Sequence, residues 1–420
     1  MPKSSATTVV TAKGEKSNHL KPFSFVHASD LHLGYAQYGL EARRQDFDNA
    51  FTEVVDKTIE LKPDFMVIAG DLFHHARPSN TTLENAIRNF RRLRDSGIHV
   101  LTVDGSHDSA PNTITGTILT PLDSAGLIFH LPRHAGACWR KDGVCYVYGI
   151  PNFRSRRRTD EGLPAFLSVN PPAPDPAVGS IFVFHGAVDL PSVKPPYIEA
   201  EIQPDLIPEG FNYYAAGHVH DGYVGKFKSG LLVYSGCTET VSYDETKARK
   251  GFMHVTVNER GRAEPTFVEL TSPRKFIVLE QEFSGMNSQK ITELAVQMVK
   301  GADEEGAILF PVLKGVLPAE ASRAEVDVAK IRAAGEKALF VNPVVLLRES
   351  AVSDEIVRSI FESEFKDLKT KAFEYFMQIF TERYSRDEAE RIARAALGLI
   401  EPLTRGQEDK VKQAIEELQA

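Results

Sequence analysis

Five short fragments carry most of the chemistry this chain could perform: Ser29-Asp30-Leu31-His32, Ala69-Gly70-Asp71, Asp104-Gly105-Ser106-His107-Asp108, Phe184-His185-Gly186 and Gly217-His218-Val219-His220. Singly, each has a bland explanation. An Asp-x-His arises as a turn aspartate beside a surface histidine, Gly-Asp after an apolar run is commonly a turn, and a lone histidine such as His185 reads as a hydrogen-bonded core residue. A His-x-His leaving a strand puts both imidazoles on one side of an extended chain, where they can share a metal. Together the fragments say more. Two aspartates and four histidines in the loops of one domain suit a pair of borderline ions such as manganese, iron or zinc. The Asp71 carboxylate could bridge two such ions at about 3.5–4 Å, the separation of two-metal hydrolases.

Positioning those fragments falls to a regular alternation of elements. Strands are expected at 23–29, 65–69, 99–103, 144–149, 181–184, 213–216, 231–234 and 252–257, each a short apolar run. Phe47, Phe51, Val54, Val55 and Ile59 recur at helical spacing within 44–61, and a second helix is expected at 81–94. The proline-rich stretch 164–176 reads as a surface loop. This is an α/β layered core, a sheet flanked by helices, with the reactive fragments at the C-terminal ends of strands, where open α/β sheets bind ligands.

After Ser272-Pro273 the pattern changes. Strands at 276–283, 307–313 and 339–347 alternate with helices at 289–299 and 322–334, a small α+β domain. From Ser353 it is wholly helical: Val357, Phe361, Phe365, Leu368, Ala372, Phe376 and Ile379 form one apolar stripe, and Ser385 with Glu388 is a capping box opening another helix. The expected organisation is a polar tail at 1–21, the core at 22–272, the α+β domain at 273–348 and a helical region at 349–420.

With 420 residues, 42% hydrophobic and 25% charged, the chain is a globular protein of two or three domains rather than a disordered or fibrous one. No apolar run reaches the roughly 18 residues of a membrane span, and the first 21 residues lack the apolar centre of a secretory signal. Three cysteines without C-x-x-C spacing argue against a disulfide framework or zinc ribbon and fit a reducing cytoplasm. A net charge of −8 means that any nucleic acid must be met by local patches or bound metal.

The order D-x-H, G-D, G-N-H-[DE], H, G-H-x-H resembles the signature of the calcineurin-like metallophosphoesterases. Residues 27–35, Arg44-Gln45-Asp46-Phe47, 69–74 with Arg77-Pro78-Ser79, 213–220 and 234–239 are similar to the DNA double-strand-break repair nucleases of the Mre-eleven/SbcD family, in their archaeal form. The resemblance spans residues 22–345. It implies a β-sandwich core flanked by helices, a DNA-binding cap domain, and a manganese-dependent nuclease acting as a 3′–5′ double-strand exonuclease and single-strand endonuclease. It further implies one Mn2+ held by Asp30, His32, Asp71 and His220 and another held by Asp71, Ser106, His185 and His218. His107 would assist phosphodiester cleavage and His74 would orient the phosphate. DNA, a twofold copy of the chain and a coiled-coil ABC-type ATPase would be its partners in a prokaryotic, nucleoid-associated setting.

One residue departs from the family pattern. Ser106 stands where the family carries asparagine, and a hydroxyl is a shorter, weaker ligand than an amide carbonyl. The second ion is then expected to be labile, and a nuclease-poor tethering subunit becomes a second reading. A phosphoesterase acting on other substrates is a third. The run Arg154-Ser155-Arg156-Arg157-Arg158 is either a solvated loop or a phosphate-contacting one. The stripe from Val357 to Ile379 is either a packed subdomain or a helix that docks on the ATPase. Helix 81–94 and the stretch 114–122 carry more apolar residues than one core face needs, which fits a dimer or monomeric packing alike.

Overall fold

Side chains on alternate faces of each strand divide the first domain into layers. On β1 (Phe23–Ala28), Phe25 faces one way and Val26 the other; on β2 (Phe65–Ala69), Phe65, Val67 and Ala69 part from Met66 and Ile68. The computed structural model describes residues 20–109, 116–193, 198–318, 321–349 and 385–404, with 373, 376, 377 and 380. A first sheet joins β1, β2, β3 (His99–Val103), β4 (Phe129–His130), β11 (Gly251–Val257) and β12 (Ala263–Glu269) in the order β12-β11-β1-β2-β3-β4. A second joins β5 (Cys138–Lys141), β6 (Cys145–Gly149), β7 (Gly179–His185), β8 (Tyr213–Gly217), β9 (Tyr223–Phe227) and β10 (Gly230–Tyr234) in the order β5-β6-β7-β8-β10-β9.

The two sheets face each other over one core. Phe25, Phe65, Val67, Leu101 and Val103 from the first meet Val147, Ile181, Val183, Tyr213 and Val233 from the second. Outside the first sheet lie α1 (Glu41–Leu61), α2 (Asn80–Asp95) and α3 (Leu119–Ser124), which bury Phe51, Val54, Phe90 and Leu122. Leu83 and Ile87 of α2 pack at the margin of that cluster. Outside the second sheet, α4 (Arg156–Val169) lays Leu163 on Tyr146, Tyr148 and Phe182. This is a four-layer α/β/β/α domain.

The expected proline loop begins only after Val169, because Pro164 sits inside α4. An interior proline costs a helix roughly 3 kcal/mol; here Leu163, Phe166 and Leu167 anchor the turn around it in the apolar cluster. Four strands have no counterpart in the sequence reading: β4, two residues long, and the edge strands β5, β9 and β12, the last containing Pro265.

The chain divides into the units Met1–Phe276 and Ile277–Ala420, a few residues beyond the boundary expected at 272. The intervening residues belong to the core. Glu53 accepts from the backbone N–H groups of Thr271 and Ser272, and Arg274 pairs with Asp46 at 2.6 Å. The second unit holds β13 (Phe276–Glu282), α5 (Ser288–Gly301), β14 (Ile308–Leu317), α6 (Val328–Arg332), β15 (Phe340–Val341) and β16 (Val344–Glu349), around its own core of Ile291, Leu309, Leu313 and Val341. The single strand expected at 339–347 is broken, since Pro343 cannot donate to a ladder. The helix expected at 322–334 is a short 3-10 turn followed by α6. In α7 (Arg386–Thr404), the hydroxyl and backbone N–H of Ser385 both reach Glu388. The tail 1–19 and most of the apolar stripe, including Val357, Phe361, Phe365, Leu368, Ala372 and Ile379, lie outside the described residues. Among the described residues no helix is long and apolar enough to cross a membrane.

Candidate metal centre

Parallel pairing of β1 with β2 and β2 with β3, and of β7 with β8, brings the C-terminal ends of these strands to one rim. Asp30 and His32 follow β1, Asp71 follows β2, Ser106 and His107 follow β3, His185 ends β7, and His218 and His220 follow β8. The rim is bought with strain: Asp30, His32, Asp71 and His218 have φ values of 54°, 46°, 49° and 94°. Such left-handed residues cost about 1–3 kcal/mol each and collect at functional sites. Two glycines make the close approach possible. A Cβ on Gly105 would lie 2.0 Å from Asp71 Oδ1, and one on Gly70 2.5 Å from His185 Nδ1.

Asp71 is the hub. Its Oδ2 lies 3.3 Å from His185 Nε2 and 4.0 Å from His107 Nε2, while Oδ1 accepts the His107 backbone N–H at 2.8 Å. Asp30, His32 and His220 form one cluster of potential metal donors and Asp30, Asp71 and His185 another. His32 Nε2 faces His220 Nε2 at 3.3 Å. The donors fit a divalent ion. His185 Nε2 is buried without a hydrogen-bond partner, and its Nδ1 is committed to the Ala69 carbonyl at 2.9 Å. Burial holds His218 down at about 3 and depresses His32, so both stay neutral as ligation requires. Burial works the same way on His185, yet Asp71 and Asp30 outweigh it and raise this imidazole to about 10.

Ser106 does not stand in for an amide carbonyl. Its hydroxyl donates to Asp71 Oδ2 at 3.2 Å. His107, with a side chain 40% exposed, sits at the mouth; its Nδ1 meets the His74 carbonyl at 2.8 Å. His74 is stacked between Tyr35 and His107, with ring centroids 3.7 and 4.8 Å away, and its Nδ1 lies 3.3 Å from His32 Nδ1. Burial lowers His74 to about 4. His75 is exposed.

Several residues that frame the centre escaped the sequence reading. Glu245 accepts from His220 Nδ1 at 2.8 Å and from the backbone of Val241 and Ser242. A carboxylate behind a ligating histidine fixes its tautomer and raises its basicity. Asp108 gathers the backbone N–H groups of Leu72, Phe73 and Gly105, tying two loops together. Ser29 donates to Asp30 at 2.6 Å. Only Ser242-x-x-Glu245, a capping box, carried a local signal, and that signal points to helix capping rather than to a histidine. The arginine run starts in a loop at Arg154-Ser155 and continues into a helix, with Arg157 and Arg158 exposed. Arg156 opens α4 and pairs with Asp189 at 3.0 Å, Arg157 pairs with Glu161, and Arg154 donates to the Ser109 carbonyl.

A model of the calcineurin-like phosphoesterases matches residues 23–222. The DNA double-strand break repair protein Mre11 of Methanopyrus kandleri is 29% identical over 323 residues, 73% of this chain and 70% of that protein. Its counterpart in Thermoplasma acidophilum is 30% identical over 285 residues, 65% of this chain and 73% of that protein. A dimetal phosphatase structure from Danio rerio covers 58% of this chain and 98% of its own at 13% identity, with a TM-score of 0.34, too loose a likeness to bear on the site. The chain belongs to the calcineurin-like metallophosphoesterases, within the family of the archaeal Mre11 double-strand break repair proteins.

Proposed function

We propose that this protein is a manganese-dependent DNA nuclease of a double-strand-break repair complex. The observation that carries the reading is the convergence on Asp71 of His185, Ser106 and His107 at one rim with Asp30, His32, His218 and His220. In this reading Asp30, His32, Asp71 and His220 hold one Mn2+, and Asp71, Ser106, His185 and His218 hold the other. Such ions, when bound, would supply Lewis acidity toward the attacking water and the scissile phosphate. His107 presents Nε2 to the departing oxygen because its Nδ1–H is donated to the His74 carbonyl, and in its doubly protonated, imidazolium form it gives the Nε2 proton to that oxygen. His74, wedged between Tyr35 and His107, keeps that ring in place.

DNA as substrate is supported by the relatives, which are double-strand break repair proteins. The polarity, 3′ to 5′ on duplex ends with endonuclease action on single strands, belongs to the same proposal. So do a homodimer, a cap domain in the second unit that meets DNA, and a coiled-coil ATPase bound by the helical region. Duplex and single-stranded DNA, a chromogenic phosphodiester and a phosphomonoester, each assayed with Mn2+, test the reading. Cleavage of DNA is expected. Turnover of the monoester alone would make the protein a general phosphoesterase, and metal binding without any turnover would favour the tethering role that Ser106 raises.

A further inference from the structure

We propose that Glu201 is a positioning residue of the centre: its carboxylate accepts the Nε2–H of His218, so that Nδ1 carries the lone pair offered to the second ion. The inference rests on the two-metal reading above and adds a residue to it. Glu201 Oε2 is buried, has no hydrogen-bond partner and lies 3.8 Å from His218 Nε2. A buried, unpaired carboxylate oxygen is costly unless something meets it. Its placement is rigid: the N–H groups of Glu201 and Ile202 both bond the Ala187 carbonyl, two residues past His185. Gly186 leaves the space, since a Cβ there would sit 3.0 Å from Glu201 Oε2.

The other histidines of the centre set the pattern. His185 turns Nδ1 to the Ala69 carbonyl and His220 turns Nδ1 to Glu245, each freeing the opposite nitrogen. For His218 the carboxylate on the Nε2 side is Glu201, at 3.8 Å beyond hydrogen-bond reach, and we take the two to close to a hydrogen bond when the ion binds. The contact matters most at this site because Ser106 offers only a hydroxyl, already donated to Asp71. Loss of an orienting carboxylate behind a histidine typically weakens metal affinity 10–100-fold.

Stepwise calorimetric titration of the full chain with Mn2+ tests this without reference to cleavage. Native protein should bind two ions. Glu201→Ala should weaken one of them on the order of 10–100-fold and leave the other unchanged, the intact site also reporting a folded chain. Glu201→Gln should recover most of the loss, because an amide oxygen can accept the same N–H. Unchanged affinities in Glu201→Ala would overturn the assignment, and so would a Gln variant as weak as Ala, since the charge rather than the acceptor would then matter. Nitrogen-15 spectra of the native chain loaded with Zn2+ need no variant: His218 should show a protonated Nε2 and a coordinated Nδ1, and the reverse pattern refutes the proposal. A native chain that binds no divalent ion would sink the two-metal reading itself, and this inference with it.

Discussion

His107 and Asp71 show how differently two residues of one rim should respond to change. The His107 side chain is bound to a backbone carbonyl and its Nε2 lies 4.0 Å from Asp71 Oδ2, while its close tie to Asp71 runs through the backbone N–H, which truncation of the ring keeps. Its replacement by alanine should therefore abolish DNA cleavage while both Mn2+ ions still bind; calorimetry showing a lost ion would make His107 a ligand instead. Asp71 cannot be displaced so cheaply. In Gly105→Ala the new methyl group would fall 2.1 Å from the Asp71 backbone nitrogen as well as on its carboxylate, and no flexible tip can yield there. Since Asp71 is proposed to serve both ions, this one added carbon should remove both, with affinity falling at least about 100-fold by titration. An alanine variant with native metal affinity would mean that the loop gives way without moving the carboxylate.

At the scale of elements, the parallel strands explain why so much was readable. β2 and β3 match their apolar runs residue for residue, and every reactive fragment sits where such a run stops. Glu201 was not readable because it approaches its histidine from a loop whose sequence carries no period, and the capping-box signal at Glu245 points to a helix start rather than to His220. The edge strands β9 and β12 were missed for a related reason: with one side open to solvent, their exposed residues blur the apolar signal. The end of the core is fastened where Glu53 on α1 grips Thr271 and Ser272, at the boundary expected from the sequence. Burial pushes that carboxyl up, but hydrogen bonds from Ser272 and Thr271 outweigh it and hold it at about 2. A depressed carboxylate stabilises the fold above its unfolded pKa, about 4.3, and loses that contribution as pH falls toward 2. Glu53→Ala should accordingly cost on the order of 1–2 kcal/mol at pH 7 in denaturant melts, and the gap from the native chain should shrink below about pH 4.5. A gap independent of pH would show that the contact is absent in solution.

Over the whole molecule, charge and organisation pull in opposite directions. At a net −8 the chain repels DNA at long range, so productive contact must depend on bound divalent ions and on local cationic surface. Within the arginine run, Arg156 and Arg157 are paired with Asp189 and Glu161, exposed contacts that a phosphate could displace at little cost. If the chain is the nuclease proposed, it would gain from a partner that brings DNA to it, the role proposed for residues 349–420. Within that region Arg394 lies over the Phe373 ring at 5.2 Å and Phe376 stacks with Phe380 at 6.0 Å. Removing residues 353–420 should leave Mn2+ binding and intrinsic cleavage within about twofold of the full chain, because every proposed ligand lies before residue 221. The same truncation should abolish co-purification with the coiled-coil ATPase. A truncated protein that still elutes with the ATPase would move the docking surface into the residues before 353, and loss of metal binding would show that the helical region supports the centre itself.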